Sequence, residues 1–430
     1  MYAPAPNRYP ENSMLAAAIP THPAAPDETQ ILGLLGGLLV LAFFSNRVSK
    51  ISRIPDLLIL MLTGVILGPV LGWLQIPDLS TFTEYLGALA LILILFEAGT
   101  EIRLRETLRH FPPGLLFAVL SFGTSFTAVA YAGKLLLGLS THNSLLLGAV
   151  LGCVSGTIVI PVLQQLEIRG PVAVVLVLEA ALGDVIGVIT VGSLTAIAEG
   201  DPLMSGLLKG FLTRTFVAIA AAVIAGLLWS RARRRFRPDR FGSVLHVGVV
   251  LVVYGVTRLI GGSGLLAVLA FGLTLANTTP KKDPSGEETG ALVFHSDLSF
   301  LVRSFFFVLL GASVELIGRA YILAILVILA GLVIARIASV LILRLTSMRT
   351  MSKAERDLLS GLLPRGLVNA VLAIQVADRV PALDFLPAMT FTVLVVTNLL
   401  MVFATWRSRP KDGALGPAAE PALQTSGNQS

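Results

Sequence analysis

Apolar residues occur along this chain in long runs, separated by short polar loops or by loops rich in Gly and Pro. An α-helix needs about 20 apolar residues to cross a bilayer. The pattern therefore predicts an all-α polytopic membrane protein with thirteen transmembrane spans. The predicted spans are 30–45, 55–75, 84–102, 113–138, 143–164, 171–198, 206–229, 241–259, 264–278, 297–316, 319–343, 356–379 and 385–406.

The composition agrees with this fold class. Hydrophobic residues make up 55% of the 430 residues and charged residues only 13%, which is too little polar surface for a soluble globule. The single cysteine, Cys153, excludes an internal disulfide and a Cys-based metal site. We find no phosphate-binding glycine loop, metal-ligand cluster or nucleophile constellation. We therefore expect neither an enzyme nor an ATP-driven pump, and no cofactor.

The loop charges predict the topology. Lys and Arg concentrate in the odd-numbered loops, most densely in the run 231–240. The positive-inside rule then places the amino terminus outside and the carboxyl terminus in the cytoplasm, in a multi-pass protein of the cell inner (plasma) membrane. The basic run is expected to contact anionic lipid, and no nucleic-acid footprint is present. Residues 1–29 and 407–430 are expected to be disordered tails around a transmembrane domain at 30–406, without a signal peptide.

An odd number of spans permits two inverted repeats, spans one to six and eight to thirteen, with span seven as linker. Corresponding spans should then carry corresponding defects. Spans five and twelve both contain Gly and Pro and are predicted to be broken helices, although both residues are common in membrane spans anyway. The predicted broken-helix positions are Gly152, Gly156, Pro161, Gly361, Pro364 and Gly366.

Two carboxylates, Glu179 and Asp184, lie inside the apolar run 171–198. An ionisable side chain at membrane depth is costly and is a functional hypothesis by default. The two residues are five apart, so the helix turns them by about 140° from one another and they face different neighbours. A buried Asp without a fixed cationic partner is favoured in its protonated form, so that a cation and a proton can compete for it. Asp184 is therefore the predicted ion carrier, whereas Glu179 stays charged only beside a cation.

Four segments together resemble the cation:proton antiporter superfamily, nearest its NhaP-like sodium/proton branch. They are EAALGD at 179–184, FEAGTEIRLRE at 96–106, LLPRGLVNAVLA at 362–373 and RSFFFVLLG at 303–311. The resemblance implies an NhaA/NhaP-like fold with two crossing broken helices. It also implies a homodimer and secondary active exchange of a monovalent cation, Na⁺, for H⁺ by alternating access.

The resemblance also implies site residues. The implied cation- and proton-binding residues are Asp184, Glu97, Ser155 and Thr157, with Asp184 holding the Na⁺ or K⁺ ion. Glu179 would form a structural ion pair with Arg365. Ala180 and Gly183 stand where the family has Ser and Asn, which leaves the choice among Na⁺, K⁺ and Li⁺ open. The electrogenic branch of the family has two adjacent aspartates where this chain has Gly183 and Asp184, so the resemblance favours one cation per proton.

Other readings of the chain stay open at this point. They are a K⁺/H⁺ antiporter, a non-transporting sensor on a transporter fold, and a channel. Glu97 is either a cation ligand or an interfacial carboxylate paired with a nearby arginine. Arg303 is expected to reach lipid headgroups, and Arg336 to pair within the bundle. His295 is expected to be a solvated histidine, with pH sensing as the alternative.

Overall fold

The computed structural model describes residues 28–52, 54–72, 79–101, 111–166, 168, 170–196, 203–235, 242–278, 287–313 and 318–407. Regular secondary structure in these residues is helical throughout, and no β-strand occurs among them. The two predicted tails lie outside the described residues, except for Glu28, Thr29 and Arg407 at the ends of helices. Arg103, the nearest predicted partner of Glu97, also lies outside them.

Fifteen α-helices occur in the described part of the chain. They are α1 (Glu28–Ser52), α2 (Asp56–Val65, continued by a π-helical turn, Ile66–Val70), α3 (Leu79–Glu101), α4 (Phe111–Leu136), α5 (Thr141–Gly152), α6 (Gly156–Gln165), α7 (Pro171–Leu194), α8 (Leu203–Arg235), α9 (Gly242–Leu259), α10 (Gly264–Thr278), α11 (Glu287–Ala312), α12 (Ile322–Thr346), α13 (Lys353–Gly361), α14 (Leu367–Arg379) and α15 (Leu386–Arg407).

These helices account for the thirteen predicted spans. Six helical segments among the described residues are long and apolar enough to cross a membrane, and five further apolar helices are shorter. The remaining two spans are each made of two short helices, α5 with α6 and α13 with α14. The all-α polytopic architecture predicted from the hydrophobic runs is therefore confirmed.

Glycines set the closest helix crossings. A Cβ added to Gly64 on α2 would strike the Val308 carbonyl group of α11, and one on Gly311 of α11 would strike the Met61 carbonyl group of α2. Such small residues let helix backbones approach in a membrane, where packing rather than the hydrophobic effect holds helices together. The α2–α11 contact is therefore a backbone-to-backbone contact in both directions.

The helix that carries the two acids lies within this bundle. α7 packs against α4, α5, α6, α8 and α14, and about two thirds of its apolar window is buried inside the protein. Glu179 and Asp184 are both buried. Both carboxylates therefore face protein rather than lipid.

Candidate functional site

Two interrupted spans cross beside α7. Span five is helical to Gly152, non-helical from 153 to 155, and helical again from Gly156. Span twelve is non-helical from 362 to 366, between α13 and α14. The Ser155 N–H donates to the Pro364 carbonyl oxygen at 3.0 Å, so the two breaks are joined by a backbone hydrogen bond.

Most predicted broken-helix residues lie where the helices stop. Gly152 and Gly361 end α5 and α13, and Gly156 begins α6. Pro364 and Gly366 lie in the second break, where a Cβ on Gly366 would come within 2.6 Å of the Ser155 Cβ. Glycine is required there because the two breaks touch.

Pro161 does not mark the break in span five. It was predicted to mark the break, but it lies inside α6, whose helix continues past it to Gln165. The helix is interrupted instead at residues 153–155, where span twelve crosses and the Ser155 N–H donates to the Pro364 carbonyl oxygen.

Side chains from span twelve satisfy carbonyl groups at both breaks. The last carbonyl groups of a helix have no intrahelical partner. The Arg365 Nε donates to the Leu151 carbonyl oxygen at 2.8 Å, and its Nη1 donates to the Leu363 carbonyl oxygen at 3.2 Å. The Asn369 amide nitrogen donates to the Val150 carbonyl oxygen at 2.8 Å. Arg365 therefore holds the breaks together.

Asp184 faces the start of α6. Its Oδ2 accepts a hydrogen bond from the Gly156 N–H at 3.4 Å. The residue as a whole is only 4% exposed. The buried Oδ1 atom has no hydrogen-bond partner among the described residues. A helix N-terminus carries partial positive charge, which favours a nearby anion. This carboxylate can therefore be held as an anion and still offer one oxygen to a proton or a cation.

The other residues implied as ligands are placed unequally. Ser155 is fully buried in the first break, directly before Gly156. Thr157 is the second residue of α6, and the position of its side chain lies outside the described part. Ala180 faces the same helix start, because a Cβ on Gly156 would lie 3.6 Å from the Ala180 Cβ and 3.8 Å from Asp184 Oδ2. The N-terminus of α6 thus lies against the Ala180–Asp184 face of α7.

Glu97 lies on a different helix from Asp184. It is half-buried near the end of α3. No hydrogen bond joins Glu97 to Asp184 in the residues that are described. The two predicted ligands therefore lie on different helices, α3 and α7.

Glu179 has a different partner from the predicted one. Its Oε1 accepts a hydrogen bond from Nη1 of Arg336 in a buried ion pair. The prediction that Glu179 pairs with Arg365 is wrong, because Arg365 is turned toward the carbonyl groups freed at the breaks. The expectation that Arg336 pairs within the bundle is confirmed.

Arg336 is held from several sides. Its Nε donates to the Leu359 carbonyl oxygen at 2.7 Å, its Nη1 also contacts the Ser121 hydroxyl at 3.1 Å, and its guanidinium carbon lies 4.7 Å from the centre of the Phe117 ring. The pair therefore links α7 to α4, α12 and α13.

Two side chains of α11, Arg303 and His295, have partners within the bundle. The Arg303 Nη2 forms an ion pair with Asp56 Oδ2 at 3.1 Å, with both side chains 20% exposed, and its contact with lipid headgroups stays a prediction. His295 is not solvated: it is 1% exposed, and its Nε2 lies 2.9 Å from the Leu93 carbonyl oxygen. Both side chains point between helices, and a sequence pattern does not show the rotation of α11 that places them there.

Asn369 was not among the predicted site residues. Its signal in the sequence is a single amide in the apolar segment LVNAVLA, three residues after the glycine of the second break. Backbone groups at helix ends lack intrahelical partners. A buried polar side chain near such an end is therefore a candidate hydrogen-bond partner for one of them.

Comparison with known proteins agrees with this architecture. The family described as "Sodium/hydrogen exchanger, transmembrane" matches residues 38–406. The chain is 25% identical to Na(+)/H(+) antiporter 1 of Methanocaldococcus jannaschii over 82% of this chain and 86% of that one. It is 26% identical to the K(+)/H(+) antiporter NhaP of Alkalimonas amylolytica, over 65% of this chain and 48% of that one.

A solved structure has the same fold. The sodium proton antiporter MjNhaP1 from M. jannaschii superposes with a TM-score of 0.73 at 22% identity, covering 88% of this chain and 97% of that one. Crossing broken helices beside a buried aspartate, together with a family match over nearly the whole membrane region, lead to one assignment: the chain belongs to the sodium/hydrogen exchanger family of membrane proteins.

Proposed function

We propose that this protein is a secondary active transporter that exchanges a monovalent cation, Na⁺, for H⁺ by alternating access, with Asp184 as the shared binding site. The observation that carries the proposal is the Asp184 carboxylate, which is buried with one oxygen on the Gly156 N–H and the other without a partner. Family membership and the printed names of the relatives support the reaction class.

Coupling follows from the cost of a bare charge. An unpaired carboxylate in an apolar interior is expensive, and either a proton or a Na⁺ ion neutralises it. The loaded site therefore crosses more readily than the empty one. Because both ions use one carboxylate, loading one requires release of the other, which gives exchange rather than leak.

Further ligands are proposed around Asp184. Hard cations prefer oxygen ligands, and α7 supplies none at Ala180 or Gly183. The hydroxyl groups of Ser155 and Thr157 are the proposed substitutes, since both flank Gly156 at the start of α6. Glu97 is retained as a second carboxylate to test.

The Glu179–Arg336 pair is given a structural role in this scheme. Both charges are compensated by each other, and Arg336 has further contacts with Ser121 and Leu359. A neutralised pair gains nothing from binding an additional cation. The pair therefore maintains the shape of the bundle beside the carrier.

The test is a proteoliposome assay. Purified protein is reconstituted with an imposed proton gradient, and proton flux is followed on addition of Na⁺, K⁺ or Li⁺ across a pH series. The proposal expects Na⁺-dependent proton flux that disappears in Asp184→Asn. Conductance without proton coupling would instead make the protein a channel, and no flux with any cation would favour a sensor.

K⁺/H⁺ exchange is the second candidate. The observation that favours it is the absence of polar side chains at Ala180 and Gly183, which removes two groups able to select a small ion. A relative named as a K(+)/H(+) antiporter also matches the chain. K⁺-dependent proton flux exceeding that with Na⁺ at equal concentration would decide for it.

We further propose a homodimer in the inner membrane, with the amino terminus outside and the carboxyl terminus in the cytoplasm. The dimer is proposed from family resemblance and the orientation from the loop charges. A reporter fused after Lys411 should read cytoplasmic, and one inserted near Gly200 should read external. Cross-linking in native membranes measures the oligomeric state.

A further inference from the structure

Asn369 is a buried amide that the exchange scheme above does not use. It lies in the first turn of α14, is 0% exposed, and follows the second break. A buried amide costs free energy unless its donors and acceptor are paired. The hydrogen-bond partners of this amide therefore indicate its role.

The hydrogen bonds of this amide go to the two breaks and to the end of α5. Its Oδ1 accepts from the Gly366 N–H at 2.9 Å. Its Nδ2 donates to the Val150 carbonyl oxygen at 2.8 Å and to the Cys153 carbonyl oxygen at 3.2 Å, with the Cys153 Sγ at 3.4 Å. One side chain thus joins the start of α14 to the end of α5.

The contact continues to the carrier through three residues. Cys153 opens the first break, and Gly156 follows it at the start of α6 with its N–H on Asp184 Oδ2. Residues 153–156 have little freedom to move, because the Ser155 N–H is bonded to the Pro364 carbonyl oxygen and Gly366 lies against the Ser155 side chain. Moving Cys153 therefore moves the Gly156 N–H relative to the carboxylate.

We propose that Asn369 is a positioning residue: through Val150 and Cys153 it holds the N-terminus of α6 on Asp184 and so sets the balance between cation and proton at that carboxylate. A hydrogen bond donated to a carboxylate favours the anion over the neutral acid. Loosening the Gly156 N–H therefore lets protons compete better against the cation. The inference rests on the proposed exchange at Asp184.

The transport test uses Asn369→Ser and Asn369→Leu in proteoliposomes. Both remove the two amide donors, and the serine keeps a hydroxyl for Gly366 if the leucine variant fails to fold. We expect the apparent KM for Na⁺ near neutral pH to rise about three- to tenfold, the size expected for a weakened hydrogen bond to a charged group. The pH of half-maximal exchange should move upward.

The matched control is Asn398→Ser. Asn398 is equally buried, and its Nδ2 donates to the carbonyl oxygens of Arg365 and Leu394 at 2.8 and 2.7 Å, so among the described residues it contacts the second break but not the first. This variant should lose stability while its KM and pH profile stay at the wild-type values. An equal KM shift in both variants would overturn the positioning role.

A second measurement does not depend on transport. Cys153 is the only cysteine of the sequence and is buried, so a membrane-permeant maleimide reports on this break alone. Labelling should be slow in the wild type and in Asn398→Ser, and at least several-fold faster in Asn369→Ser. If the wild type exchanges no cation, the proposed function is wrong. The labelling rates still show whether Asn369 holds the first break at Cys153.

The outcomes separate a positioning role from a merely structural one. Lower stability or maximal rate in the Asn369 variants, with wild-type KM, pH profile and labelling, would overturn the proposal. A raised KM with faster Cys153 labelling, and neither change in Asn398→Ser, supports it.

Discussion

Glu179 of α7 and Arg336 of α12 form an ion pair whose two side chains are each only 2% exposed. Arg336 is further held by the Leu359 carbonyl group, the Ser121 hydroxyl and the Phe117 ring. A buried pair is tolerated where a single buried charge is not. The structure therefore separates the two acids of α7: Glu179 is neutralised by Arg336, whereas Asp184 has no ion-pair partner among the described residues.

The first prediction concerns this pair. Glu179→Gln or Arg336→Ala leaves one buried charge uncompensated, so each should lower the free energy of unfolding by about 3–5 kcal/mol. The double variant should recover part of the loss. Thermal unfolding in detergent measures all three. The control cycle pairs Glu179→Gln with Arg365→Ala, where we expect much smaller coupling. Equal coupling in both cycles would contradict the assigned partner.

The second prediction concerns Asp56 and Arg303, which join α2 to α11. Both side chains are 20% exposed, so solvent and salt weaken the attraction between them. A double-mutant cycle with Asp56→Asn and Arg303→Gln should give a coupling of about 1 kcal/mol or less. That coupling should decline at high salt, whereas the Glu179–Arg336 coupling should not. A salt-insensitive Asp56–Arg303 coupling would count against a partly solvated pair.

The hydrophobic runs were sufficient to predict the spans, because a helix that crosses a bilayer needs about 20 predominantly apolar residues. Gly152, Gly156, Pro364 and Gly366 were also recognisable, since a break at membrane depth needs residues that interrupt a helix or permit close approach. Pro161 shows the limit of that rule: a proline can also lie inside a helix that continues.

The partner of Glu179 was not predictable in the same way. Both Arg336 and Arg365 lie in late spans, and the choice between them depends on helix rotation and on competing acceptors. Arg365 lies where carbonyl groups of α5 lack partners, which only the crossing of the two breaks creates. Asn369 was missed for the same reason, because the partners of its amide nitrogen, Val150 and Cys153, are more than two hundred residues away in sequence.

The third prediction concerns the α2–α11 crossing. Gly311→Ala puts a methyl group against the Met61 carbonyl group, where there is no room, and should destabilise the protein by about 1–3 kcal/mol. Gly248→Ala is the control, because nothing lies within 4 Å of its Cβ position on α9. That change should be neutral or stabilising by up to about 1 kcal/mol. Thermal unfolding compares the two, and equal melting temperatures would contradict the close crossing.

The last prediction concerns Asp184 itself. Asp184→Asn keeps the size of the side chain and removes both the titrating group and the anionic ligand, so the protein should insert and fold yet exchange no cation for protons. Asp184→Glu keeps the charge one methylene further out and should leave weak exchange with an altered apparent KM.

In the wild type, competition at one carboxylate requires that a higher proton concentration raises the apparent KM for Na⁺ with little change in maximal rate. Glu97→Gln is the comparison variant, because it removes the other candidate carboxylate, which is half-buried on α3. It should keep exchange if Asp184 is the carrier. Near wild-type exchange in a well-folded Asp184→Asn protein, with its loss in Glu97→Gln, would instead move the carrier to Glu97, because only a carboxylate that is neutralised by its load can couple the two ions.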